Sequence, residues 1–163
     1  MRISIGSDHH GVGVRLKLAE LMTQLGHQVT AYGPKVEKSE PVDYPDVAGD
    51  VSGDVSSGRA DRGILICGTG FGMCIVANKF RGIRAATISD ELSAEISRRH
   101  NDLNVLCLSG DLLSDHAAEQ IVKVWLSTPF DDGRHSRRIE KITEFENQQN
   151  TSQESNNIVP DCR

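Results

Sequence analysis

The chain has 163 residues, the length of one domain. With 37% hydrophobic and 25% charged residues it has the composition of an ordinary globular protein, which excludes collagen-like, coiled-coil and wholly disordered readings. A net charge of −5 and only 4% aromatic residues argue against nucleic acid as a partner, because phosphate neutralisation needs a basic surface and base stacking needs rings.

In chain order, residues 3–6 read as a first strand ending in a polar turn. Val14, Leu18, Leu21 and Leu25 recur at helical spacing, and Gly26 closes that helix. Residues 28–32 are a second strand, followed by a charged loop over 33–41 that carries Lys35, Glu37, Lys38 and Glu40. Asp43-Tyr44-Pro45 starts a helix carrying Val47, Val51 and Val55, which Gly58 ends. Residues 63–67 form a third strand, continuously apolar through Ile64-Leu65-Ile66, the mark of a parallel strand covered on both faces. A glycine-rich turn leads into a helix to about Phe80, then a fourth strand over 83–88. Ser89 caps a helix carrying Leu92 and Ile96, and residues 104–108 are the fifth strand. Ser114 caps a helix carrying Ala118, Ile121, Val122 and Trp125, stopped by Thr128-Pro129. A last helix begins near Arg134 with Ile139, Ile142 and Phe145. Residues 147–163 are polar and aperiodic and read as a disordered tail, leaving 1–146 as the domain.

Strands alternating with helices predict a single doubly wound, three-layer α/β domain around a five-stranded parallel sheet, with order 2-1-3-4-5. No apolar run approaches the ~18 residues of a membrane span. Residues 1–6 meet Asp8 and His9 without room for a signal-peptide core, so a cytoplasmic location and no membrane partner are expected. The cysteines at 67, 74, 107 and 162 lack CxxC spacing, so zinc knuckles and disulfides are not expected.

Ligands in such folds sit at the carboxyl ends of the strands, where strand order reverses, here between the first and third. The turns there are Ser7-Asp8-His9-His10-Gly11 and Cys67-Gly68-Thr69-Gly70-Phe71-Gly72, the two segments richest in chemistry. In the second, alternating glycines turn backbone amides inward ahead of a helix N-terminus, which makes an anion site. Cys67 stands at its lip. A thiol of ordinary pKa near 8.5 is only ~3% ionised at pH 7, and a helix N-terminus favours a lower value. Cys67 is therefore either a base or nucleophile, or simply the end of a buried strand with glycines that merely turn. The spacing is not a dinucleotide fingerprint, since position 73 is Met.

In the first turn, Asp8 is placed to orient a neighbour or accept a hydroxyl, His9 to donate to an anion, and His10 is left open. A metal site on these three needs more converging ligands than the segment shows. His100, in Arg98-Arg99-His100-Asn101-Asp102, is a general acid or a helix C-terminal charge complement. Arg134 and Arg138 share one helix face and suit a phosphate, or form a solvated basic face.

Taken together, Gly6-x-Asp8-His9, Asp43-Tyr44-Pro45, Cys67-Gly68-Thr69-Gly70-x-Gly72, Asn78-Lys79-Phe80-x-Gly82-Ile83-Arg84, His100-Asn101-Asp102-x-Asn104-Val105-Leu106 and Gly133-Arg134-His135-x-x-Arg138 closely resemble the type B ribose-5-phosphate isomerases. The wider family includes galactose-6-phosphate and allose-6-phosphate isomerases. The resemblance runs from about Met1 to Asn147. It implies an aldose–ketose isomerase without metal or organic cofactor, most simply interconverting ribose 5-phosphate and ribulose 5-phosphate. Cys67 matches the base that moves a proton between C1 and C2. Thr69 and the turn Gly68, Gly70, Phe71, Gly72 match the part that supports the enediolate. His100 matches the ring-opening residue, and Asp8, His9 and Asn101 match substrate-binding positions. Arg134 and Arg138 match phosphate-binding positions. The resemblance also implies a homodimer, or a dimer of dimers, whose subunits share each active site.

One position departs from the family. Asp111 stands where an arginine that helps hold the phosphate is usual. This leaves three outcomes open: the other cations suffice, the loop is rearranged, or the substrate is another sugar or sugar phosphate. Asp111 also keeps in play a noncatalytic binder of sugar phosphates or nucleotides. A hydrolase with a metal on Asp8, His9 and His10 is a third reading.

Overall fold

The order of the strands in the sheet decides which turns become neighbours. The computed structural model describes residues 1–35 and 42–156, in two units, Met1–Phe130 and Asp131–Arg163. Residues 36–41, with Glu37, Lys38 and Glu40 of the predicted loop, lie outside the described residues, as do 157–163 with Cys162.

The first unit holds β1 (Arg2–Ser7), α1 (Val12–Gln24), β2 (Gln28–Tyr32), α2 (Tyr44–Ser56), β3 (Arg62–Cys67), α3 (Phe71–Ala77), β4 (Ala85–Thr87), α4 (Glu91–Asn101), β5 (Val105–Ser109) and α5 (Asp115–Ser127). All strand pairs are parallel, as expected for the doubly wound α/β class. The order is β2-β1-β3-β5-β4, which corrects the expected 2-1-3-4-5. The reason lies in length and burial. Val105–Ser109 is buried at every position, so it fills the interior slot beside β3. The three-residue β4 is only half-buried and takes the edge, where a short strand leaves few unpaired backbone groups.

Right-handed crossovers then fix the layers. Steps in one direction across the sheet put α2 and α3 on one face, where Val47, Val51, Met73 and Ala77 pack on Leu65, Cys67, Val105 and Cys107. The reverse steps put α1 and α4 on the other face. There Leu18, Met22 and Ala94 join Ile121 and Trp125 of α5 over Ile3, Ile5, Ile64, Ile66 and Leu106. The cap of α4 is Asp90, whose carboxylate accepts from the Ser93 amide at 2.7 Å, one residue beyond the predicted Ser89. Ser114 caps α5 as expected.

The second unit consists of a short turn and α6 (Arg134–Asn156). The helix runs through residues 147–156, which the sequence reading assigned to the tail. No glycine or proline interrupts 134–159, and Glu and Gln are good helix formers whatever their hydrophobic pattern.

Candidate active site

β3 ends at Cys67, and the chain turns through Gly68, Thr69 and Gly70 into α3. Gly70 has φ +80°, and a Cβ there would stand 2.9 Å from Thr87 Cγ2 and 3.1 Å from the Leu108 carbonyl oxygen. Only glycine fits, and the resulting turn aims the Gly70 amide at Cys67 Sγ, 3.2 Å away. Cys67 is buried, with 6% of its surface exposed. Thr69 and Phe71 are exposed at the rim, and the Phe71 amide donates to Thr69 Oγ1 at 3.4 Å. A Cβ on Gly72 would lie 2.6 Å from the Tyr44 ring, so that tyrosine forms the wall of the turn. In the sequence Tyr44 starts a helix and belongs to a motif of the family resemblance, without a place in the site. A half-exposed aromatic in a chain this poor in aromatics was the available signal.

The turns after β1 and β5 flank the turn after β3 on either side. Asp8 is buried. Its amide donates to the Ile66 carbonyl at 3.2 Å and its Oδ1 accepts from the His10 amide at 2.9 Å. His9 and His10 are exposed, with ring centroids 4.5 Å apart. Their donors and Asp8 form no converging ligand group among the described residues. From the β5 side, Gly110 N donates to the Cys67 carbonyl at 2.8 Å and Asp111 N to the Gly68 carbonyl at 3.2 Å. Ser109 Oγ also donates to the Gly68 carbonyl, at 2.5 Å. The corrected strand order explains this. With β5 rather than β4 beside β3, Asp111 is brought to the cysteine turn. A cavity of about 330 Å³ opens beside it, lined by Thr69, Phe71, Thr87, Ser89, Ser109 and Leu112. A shallower groove of about 400 Å³ by His27 and Lys123 lies far from this chemistry, at the ends of α1 and α5.

His100 and Asn101 are not brought to Cys67 within one chain. They close α4, which leads into the start of β5. The Asn101 carbonyl accepts from Arg84 Nε at 3.0 Å, and the Asn104 carbonyl accepts from Gly63 N at 2.9 Å. Gly63 is four residues before Cys67, so at ~3.3 Å per residue the two edges are roughly 13 Å apart. Arg134 and Arg138 lie four apart in the first turns of α6, in the second unit, and both are exposed. Cys74, on α3, is half-buried with Sγ donating to the Ala85 carbonyl at 3.5 Å. The Cys107 thiol above all pulls Cys74 below the usual thiol range, to about 6, while Cys107 itself is pushed up.

A doubly wound α/β protein with a thiol and a glycine-rich turn at its strand-reversal point has the scaffold on which such folds bind ligands. The comparisons narrow this. Residues 3–142 match the family model described as Ribose/Galactose Isomerase, and the chain belongs to that family. Ribose-5-phosphate isomerase B of Escherichia coli (strain K12) is 41% identical, covering 91% of this chain and 99% of its own. D-erythrulose-4-phosphate isomerase of Pectobacterium atrosepticum is 37% identical, covering 91% and 97%. The crystal structure of ribose-5-phosphate isomerase B from Mycoplasma genitalium with bound ribulose-5-phosphate superposes with a TM-score of 0.85 at 39% identity, covering 90% of this chain and 96% of that one. The chain is an aldose–ketose isomerase.

Proposed function

We propose that the chain interconverts sugar phosphates, ribose 5-phosphate and ribulose 5-phosphate first among them, with Cys67 as the base. Removing a proton beside a carbonyl makes an enediolate, whose negative oxygen needs donors fixed in advance. The observation that carries the reading is the Gly70 amide 3.2 Å from Cys67 Sγ in a turn that only glycine allows. In this reading Cys67 moves the proton between C1 and C2, while Thr69 and the amides of Gly68, Gly70, Phe71 and Gly72 face the enediolate. Asp8 and His9 hold sugar hydroxyls. Arg134 and Arg138 hold the phosphate, whose binding positions the reacting carbons. No metal or organic cofactor takes part, and the enzyme works in the cytoplasm; no helix among the described residues is long and apolar enough to cross a membrane.

His100 opens the sugar ring and Asn101 binds beside it, each supplied by a second copy of the chain in a homodimer or dimer of dimers. The separation of the two sheet edges supports this. So do the exposed apolar side chains Phe71 and Ile75 on α3, Leu92 and Ile96 on α4, and Leu112, which a second copy would cover. A second reading, a different sugar phosphate, is favoured by the Asp111 carboxylate beside the turn and by the relative named for D-erythrulose 4-phosphate. A coupled assay over four-, five- and six-carbon sugar phosphates decides. Turnover is expected to be greatest for ribose 5-phosphate. A maximum elsewhere selects the second reading, and ligand binding without turnover of any of them overturns both.

A further inference from the structure

The turns after β1 and β5 meet over Gly68. A Cβ on Gly110 would stand 2.8 Å from the His10 carbonyl oxygen and 3.3 Å from Gly11 Cα. The Asp111 carboxylate leans over the cysteine turn: a Cβ on Gly68 would lie 2.8 Å from Asp111 Oδ2 and 3.8 Å from the His10 ring. Asp111 Oδ1 accepts from His10 Nδ1 at 3.1 Å, with side chains 50% and 47% exposed. Among the described residues, Oδ2 accepts no hydrogen bond. The turn after β5 is tied to the cysteine turn without this carboxylate, by the Gly110 and Asp111 amides and the Ser109 hydroxyl.

We infer that the His10–Asp111 pair reads a hydroxyl of the bound sugar, with Asp111 Oδ2 accepting from it and His10 holding the carboxylate in place. This rests on the sugar-phosphate reading above and specifies which end of the substrate meets this side of the turn. An ionised carboxylate is acceptor-only, and so is a phosphate dianion, so the two repel and share no hydrogen bond. A sugar hydroxyl donates, and its bond to a charged oxygen is among the stronger ones a site makes. The pair therefore turns the phosphate away from Gly68 and selects substrates with a hydroxyl-bearing carbon there. His10 is a positioning residue, because it acts through Asp111.

The test is titration calorimetry of the full-length protein with ribitol 5-phosphate, which lacks a carbonyl and is not isomerised, and with its deoxy analogues lacking one hydroxyl each. The wild type should bind one analogue about tenfold or more weaker than the parent. Asp111→Ala should bind the parent weaker by a similar factor and lose nothing further with that analogue. His10→Ala should weaken the same hydroxyl, and add no loss on top of Asp111→Ala. Equal or tighter binding of ribitol 5-phosphate by Asp111→Ala overturns the inference, as does the wild-type pattern of analogue losses surviving in that variant, or wild type that binds no ribitol 5-phosphate. Failure of the isomerase reading shows separately, as absent turnover of sugar phosphates by the wild type.

Discussion

The two edges of the sheet are built from different residues for different ends. At the strand-end edge glycines do the positioning. Gly70 and Gly110 leave no room for a Cβ against neighbouring backbone, and one on Gly68 would meet the Asp111 carboxylate, so three turns close on one another around the thiol. At the strand-start edge arginines do it. Arg84 and Arg98 share Asp102 at 2.7 and 2.8 Å, and Arg62 donates to the Trp125 and Leu126 carbonyls while its guanidinium lies 5.1 Å from the Trp125 ring. The first edge carries the thiol and the half-exposed His10–Asp111 pair, and the second ties its guanidinium groups into the fold. His100 and Asn101 belong to the arginine edge, so one chain offers half of the proposed chemistry at each end. A two-fold dimer that sets one copy's glycine edge against the other's arginine edge would assemble two complete sites.

That contrast breaks most easily at the glycine edge. Cys67→Ser is expected to lower kcat about a thousandfold, within the usual range for loss of a general base, with ribitol 5-phosphate affinity changed by less than about threefold. Retained turnover would remove Cys67 from the role of base. His100→Ala, at the other edge, should slow the cyclic sugar about a hundredfold but an open-chain analogue only slightly. Equal losses on both would reject ring opening. Mixing the two inactive variants after unfolding and refolding together sharpens the comparison. If each site draws Cys67 from one copy and His100 from the other, random pairing restores about a quarter of wild-type activity. No recovery would mean that both residues act within one chain.

Much of this was readable in the sequence, and the exceptions have physical causes. The two turns at the β1/β3 reversal follow from right-handed crossovers and the alternation of elements, so Asp8 and Cys67 could be paired without coordinates. The order of β4 and β5 could not, because periodicity says that a segment is a strand but not which slot it fills. The full burial of Val105–Ser109 against the short Ala85–Thr87 decides it, and residues 83–88 had looked like a longer strand. That single exchange brings Asp111 to Gly68 and gives His10 a partner, neither of which is visible from spacing. Tyr44 was missed as a wall for the same reason: its contact with Gly72 is tertiary. The helical stretch 147–156 was missed because helix propensity persists where amphipathic patterning stops.

The smallest expected effect separates a carboxylate that holds the fold from one at the crevice. Asp54 is buried and accepts from Ser4 Oγ at 2.6 Å, Tyr32 OH at 2.7 Å and Arg59 Nε at 2.7 Å. Burial by itself would raise its carboxyl, but the three donors outweigh it and hold Asp54 below the usual carboxylate range. A folded value below the unfolded one means stability that is fully present above about pH 4 and lost as pH falls through the folded value. Asp54→Ala, which leaves two hydroxyls without their acceptor, should cost about 2–4 kcal/mol in urea unfolding at pH 7. Asp54→Asn should cost less and flatten the loss of stability as pH falls below about 4. Asp111→Asn, half-exposed at the crevice, should stay within about 0.5 kcal/mol at pH 7. An acid limb that is as steep in Asp54→Asn as in the wild type would assign the pH dependence to other carboxylates, because that variant has no carboxyl to titrate at position 54.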